Sequence, residues 1–245
     1  MMQLKNSIIL ITGSAGRIGK TTAMLLARNG AQIVLHYHSQ KAKARETAGE
    51  IAAIGKQPLI VNGDLSLAET WMNIKEKILL EFGKINVLVN NSAIFYRTPF
   101  LNSTETQWDH FMSVNLKSVY LGSKILGEVM YQQKRGKIIN LADVAGETIW
   151  ENYIPYSVSK AGVIALTKGL AKALAPHVTV NAVSPGAVLL PDDYSEKQES
   201  YLIETTPLKR IGSPEDIAQT ILFLIEGSDF ITGNIVKVDG GRSLK

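Results

Sequence analysis

The stretch SIILIT at residues 7 to 12 runs straight into TGSAGRIG, and a helical pattern from Arg17 to Asn29 follows. A short apolar, β-branched run of this kind suits a strand buried on both faces. Gly13, Gly16 and Gly19 recur at three-residue spacing. Glycines placed so let the backbone turn tightly and approach a pyrophosphate at the positive end of the helix. Such a loop is a weak sign by itself. Here a strand precedes it, a helix follows, and a second strand comes about twenty residues on.

The rest of the chain repeats that alternation. Strands are expected at Gln32–Tyr37, Pro58–Val61, Ile85–Asn90, Gly136–Ala142, Val178–Val183 and Ile235–Val238. Helices are expected at Lys41–Ile54, Leu67–Phe82, Ser103 to roughly Gln132, Tyr156–Leu174 and Ser213–Glu226. Gly30, Gly55 and Gly83 serve as stops, and Ser213-Pro-Glu-Asp supplies a cap, an N1 proline and first-turn acids. Strand and helix in unbroken alternation imply right-handed crossovers. The expected fold is α/β: a Rossmann-type, doubly wound parallel sheet of about seven strands with helices on both faces. The 245 residues are expected to form a single domain, and the irregular stretch from about 186 to 207 is the expected substrate loop.

Composition narrows the function classes. There is no cysteine, which excludes a disulfide framework, thiolate catalysis and a thiolate metal site; no metal is expected. The net charge of +4 comes from dispersed basic residues, so no nucleic-acid partner is expected. The N-terminal apolar run is too short for a membrane span and lacks a small-residue cleavage site. A soluble, cytoplasmic protein is the expectation.

The second strand bears on the nucleotide. An NAD site places an acid at its end to bond the ribose 2′-hydroxyl. Here the chain reads LHYHSQKAKAR, with no acid between His36 and Arg45. NADPH is therefore expected, with Arg17, His38 and Ser39 as candidate phosphate or pyrophosphate ligands. Asp64, at the end of the third strand, suits an adenine amino group or a cap on the next helix.

Tyr156 and Lys160 stand four apart and share one helix face. An ammonium beside a phenol favours phenolate and lowers its pKa by about 1–3 units, towards useful acid chemistry. Thirteen positions before the tyrosine stands a carboxylate, Asp143.

Together these features resemble the short-chain dehydrogenase/reductase family along essentially the whole chain. Thr12-Gly13 with Gly19, Asp64, the Asn90-Asn91 pair, Asn115, Tyr156 with Lys160, and Pro185-Gly186 occur in the family's order. The resemblance implies Tyr156 as proton donor, Lys160 as its tuner and nicotinamide-ribose ligand, and Asn115 as holder of a relay water. It implies cofactor contacts from Gly13, Arg17, Ile18, Gly19, His38, Ser39, Asp64, Leu65, Asn91, Lys160, Pro185 and Gly186. It also implies a homotetramer packed through the long helices that begin near Ser103 and Tyr156.

The departures point further. Asp143 replaces the usual serine and Arg17 a usual glycine, and NNSAIFYRTPF replaces the usual Asn-Asn-Ala-Gly. With VDGGRSL these resemble the pteridine reductases, which implies a pterin or folate substrate bound by Arg17, Phe95, Asp143 and Tyr156, its ring stacked on Phe95. Asp143 and Tyr156 would donate protons as hydride reaches a C=N bond. The alternatives are a carbonyl or 3-oxoacyl-thioester reductase and, more remotely, a non-catalytic NADP-binding sensor.

Overall fold

The computed structural model describes residues 2–190 and 194–244. Among them are β1 (Ile8–Ile11), α1 (Arg17–Arg28), β2 (Gln32–Tyr37), α2 (Lys41–Ile54), β3 (Leu59–Asn62), α3 (Ala68–Phe82) and β4 (Val87–Asn90). Then follow α4 (Glu105–Phe111), α5 (Ser118–Gln132), β5 (Gly136–Leu141), α6 (Ala145–Thr148), α7 (Ile154–Ala173), β6 (Val178–Pro185), α8 (Glu196–Thr205), α9 (Pro214–Glu226) and β7 (Ile235–Val238). The strands form one seven-stranded sheet in the order β3-β2-β1-β4-β5-β6-β7. Every neighbouring pair is parallel.

Both faces of the sheet are covered, which is why its strands are rich in apolar residues. Ile9 and Ile11 of β1 point into a core made with α1, α2 and α9. Ile8 and Leu10 point into the opposite core, made with α3, α5 and the end of α7. The chain builds one half outward from β1 to β3 and returns past β1 to build the other from β4, so strand order reverses between β1 and β4 and a crevice opens at their carboxyl ends. No helix among the described residues is long and apolar enough to cross a membrane.

Three local expectations are corrected. The helix expected from Ser103 to Gln132 is α4 and α5 joined by a π-turn at Met112–Lys117, which contains Asn115. Thr104 is its cap, in a reciprocal capping box with Gln107. The helix expected from Tyr156 begins two residues earlier, at Ile154, with Pro155 in its first turn. The stretch 186–207, expected to be irregular, contains α8. Ser195 accepts from the backbone of Gln198 there, and the Gln198 side chain caps in return. That S-x-x-Q pattern was present in the sequence as a helix start. Residues 191–193 of the expected substrate loop lie outside the described residues.

Candidate active site

A cavity of about 690 Å³ lies at the crevice. Its floor is the glycine loop. Thr12 Oγ1 accepts the backbone N–H groups of Asn91 and Ser92, each at 2.9 Å, which ties the end of β1 to the end of β4. Asn91 Nδ2 donates to the carbonyls of Thr12 (2.7 Å) and Gly13 (3.2 Å). His36, buried at the end of β2, accepts from Gly13 N–H through Nδ1 at 3.3 Å and faces the Gly63 carbonyl through Nε2 at 3.0 Å. Those partners require the neutral tautomer with the proton on Nε2. Burial lowers the His36 pKa to about 4, which keeps it neutral.

The loop is shaped to receive a phosphate. A side chain at Gly16 would meet nothing within 4 Å, so the space above this backbone is open. A Cβ on Gly19 would lie 2.5 Å from the Gly13 carbonyl, 2.7 Å from Asn91 Nδ2 and 2.9 Å from Ser14 Cα. Two of those neighbours are backbone and cannot yield without opening the loop. Gly19→Ala should therefore weaken nucleotide binding by about tenfold to a hundredfold, the effect of 1–3 kcal/mol of overpacking. Titration of tryptophan fluorescence with NADPH would measure it; unchanged affinity would mean that the loop accommodates the methyl group.

Gly13, Arg17, Ile18, Gly19, His38, Ser39, Asn91, Pro185 and Gly186 all line this cavity, as do Phe95, Asp143, Tyr156 and Lys160. Asp64 and Leu65 line a second cavity of about 440 Å³ with His36, His38 and Ser92. Asp64 Oδ1 accepts from Ser66 N–H at 2.9 Å and steadies the turn before α3; its side chain does not cap that helix. Arg17 donates to the Leu189 carbonyl at 3.4 Å, across the mouth. Asn115 stands apart from both cavities. Its carboxamide exchanges two hydrogen bonds with the Ile94 backbone, at 2.8 and 3.0 Å, and donates to Ser159 Oγ at 3.2 Å. It holds the segment after β4 against α7, so its side chain is a positioning group.

The proton-bearing groups meet at the end of β5. Tyr156 donates its phenolic proton to Asp143 Oδ2 at 2.8 Å. Asp143 Oδ1 accepts from Ala145 N–H at 2.8 Å, which orients the carboxylate. Lys160 donates to the Leu141 carbonyl at 2.7 Å and stands 5.7 Å from the Tyr156 ring centre. Burial pushes the Asp143 pKa up; the Ala145 N–H, Lys160 and the Tyr156 hydrogen bond oppose this without cancelling it. Burial also lowers Lys160 to about 8, with Asp143 pulling the other way. The expectation that Lys160 lowers the Tyr156 pKa is corrected. Burial first, and the adjacent Asp143 second, hold the phenol well above its ordinary value. Tyr156 is thus an acid that keeps its proton until a partner takes it.

The family model described as enoyl-(acyl carrier protein) reductase matches residues 13–243. A Burkholderia xenovorans structure assigned to the short-chain dehydrogenase/reductases superposes with a TM-score of 0.89 at 25% identity, covering 98% of this chain and 99% of that one. The chain belongs to the short-chain dehydrogenase/reductase family. It is accordingly a member of a family of oxidoreductases.

Among this family, the 3-oxoacyl-acyl-carrier-protein reductase of Synechocystis is 37% identical, over 98% of each chain. The BbsD subunit of the hydroxy(phenyl)methylsuccinyl-CoA dehydrogenase of Thauera aromatica is 36% identical, over 99% of each chain. These relatives overturn the pteridine reading, since their names specify thioesters of acyl carrier protein or coenzyme A. The short-chain reductase scaffold is shared by the whole chain, whereas the pteridine resemblance rested on a few positions. Phe95, expected to stack on a pterin, packs one face on Tyr153, with centroids 4.8 Å apart and planes 4° from parallel. Tyr153 and Trp150 both line the cavity and were missed in the sequence. Their one sign there was an aromatic residue three and six positions before Tyr156.

Proposed function

We propose that this short-chain reductase reduces the ketone of a 3-oxoacyl thioester with NADPH. The observation that carries the reading is the 37% identity of the whole chain to a 3-oxoacyl-acyl-carrier-protein reductase, together with the hydrogen-bonded Tyr156 and Asp143 beside Lys160 in the cavity wall. The nucleotide, when bound, supplies hydride to the carbonyl carbon. Tyr156 supplies the proton to the carbonyl oxygen, so that C=O becomes CH–OH. Lys160, tied to the Leu141 carbonyl beside the phenol, is proposed to hold the nicotinamide ribose. Asp143 stands where a serine hydroxyl would hold the carbonyl. Only its neutral form donates a hydrogen bond there, because an ionised carboxylate repels the developing alkoxide.

Gly13, Arg17, Ile18, Gly19, Asn91, Pro185 and Gly186 are proposed to hold the nucleotide along the crevice, with Asp64 and Leu65 at the adenine. His38 and Ser39 are proposed to hold the 2′-phosphate. β2 ends without an acid, and His38, Ser39 and Gln40 line the cavity there. The cytoplasmic location and a homotetramer through α4–α5 and α7 belong to the same proposal; Trp108 and Tyr120, on the first two of these helices, are exposed. Oxidation of NADPH by acetoacetyl-CoA tests the reaction. Turnover is expected, and failure to reduce 3-oxoacyl thioesters of either carrier would overturn it. For the nucleotide, kcat/KM with NADPH should exceed that with NADH by at least about tenfold, the worth of one charge-assisted contact. Equal values would refute the reading of β2.

A further inference from the structure

We infer that the group attached to the reduced carbonyl carbon is an aromatic ring, so that the substrate is an aryl ketone. This rests on the proposed reduction of a thioester ketone and specifies its acyl end. Three rings stand around Tyr156 in the same cavity: Phe95, Trp150 and Tyr153. Phe95 and Tyr153 are parallel, and Tyr156 meets Phe95 edge-on with centroids 4.8 Å apart. Trp150 meets Phe95 edge-on at 6.4 Å and Tyr153 edge-on at 5.9 Å. The wall nearest the proton donor therefore offers both ring faces and ring edges.

The arrangement is built from two distant segments. Phe95 follows β4, while Trp150 and Tyr153 precede α7. A bridge between Thr98 and Tyr153 joins them, with Thr98 N–H donating to the Asn152 carbonyl at 2.8 Å. Trp150 N–H is held by Ser157 Oγ at 3.2 Å. Ile149, a β-branched residue, takes φ 34° immediately before Trp150. Such backbone strain persists only where the surroundings over-determine it.

These rings are not simply core. Phe111 and Ala145, clustered with Trp150 and Tyr153, are fully buried, whereas Trp150 and Tyr153 remain partly open and Phe95 is 39% exposed. Large aromatic surface left open on a cavity wall suits a ligand. A flexible alkyl chain would gain only area burial from it. A flat ring also gains the stacked and edge-to-face terms and loses less rotational freedom on binding.

The test compares benzoylacetyl-CoA with 3-oxononanoyl-CoA at saturating NADPH. The aryl substrate should have the higher kcat/KM by about tenfold, the upper range for such ring contacts. Phe95→Leu and Trp150→Leu should each bring that ratio towards one. Equal or reversed preference in the wild-type protein, or a ratio unmoved by both variants, would overturn the inference. If neither thioester is reduced, the failure belongs to the proposed reaction. Ring binding is then decided by quenching of Trp150 fluorescence, using Trp150→Leu as the baseline. Tighter binding of acetophenone than of 2-octanone supports the aryl site, and no preference sinks it.

Discussion

Tyr156→Phe should lower kcat/KM for the 3-oxoacyl thioester by about 10²–10⁴-fold, the worth of a positioned general acid. NADPH should still bind, because the glycine loop and the end of β2 are untouched. The phenylalanine ring keeps the packing against Phe95 but has no proton for the carbonyl oxygen. Steady-state turnover together with nucleotide titration separates the two effects. Turnover within a few-fold of wild type would remove Tyr156 from the chemistry.

The pH dependence follows from the same pair. Burial raises the Asp143 pKa, so the group is neutral below that value and ionised above it. Its neutral form can donate to the carbonyl. Activity should therefore fall as pH rises through the raised pKa, and Asp143→Ser should abolish that limb. Stability has the same sign. A carboxyl whose folded pKa lies above its unfolded value contributes stability at low pH, and that contribution is lost as pH rises through the window between the two. Asp143→Asn should remove the loss, visible as a melting temperature that no longer declines across that window. A wild-type rate profile identical to that of Asp143→Ser would exclude the carboxyl from the proton chemistry.

Trp71→Ala should be the most damaging change outside the site. Trp71 is fully buried on α3, and its indole N–H donates to the Leu65 carbonyl at 2.9 Å. Gly122 of α5 lies so close that a Cβ there would run into the indole ring. Truncation leaves a large cavity between two helices and an unpaired carbonyl at the start of the Asp64–Leu65 wall. The expected cost is about 3–5 kcal/mol, a fall of about 6–20 °C in melting temperature for a chain of this size. Thermal unfolding followed by circular dichroism would check it. A loss of only a degree or two would mean that α3 and α5 close over the gap. Trp71→Phe should cost less, since much of the ring volume stays.

The elements legible in the sequence are those set by local chemistry. All seven strands were readable because runs such as IILI and VLV are continuously apolar, as suits strands covered on both faces. The Ser213 cap of α9 was readable because its partners lie within one turn. The α8 capping box was equally local and was overlooked because the surrounding Asp, Glu and Ser resemble a loop. The π-turn at Met112–Lys117 was not readable, since the segment keeps an unbroken helical pattern.

Function divides along the same line. By itself, the sequence determined the alternating α/β fold and a member of the short-chain reductases, and it offered Asp143, Tyr156 and Lys160 as candidates, because each depends on residue type at fixed spacing. Only the tertiary structure decided which of these groups are hydrogen-bonded to one another. Tyr156 donates a hydrogen bond to Asp143 and Lys160 donates one to the Leu141 carbonyl, contacts set by how α7 lies on β5. It also decided that Phe95 stacks on Tyr153, a pairing across 58 positions of chain made when the ends of β4 and β5 come side by side. Spacing along the chain carries no information about such contacts. They arise from sheet order, and sheet order is fixed by which apolar faces bury one another.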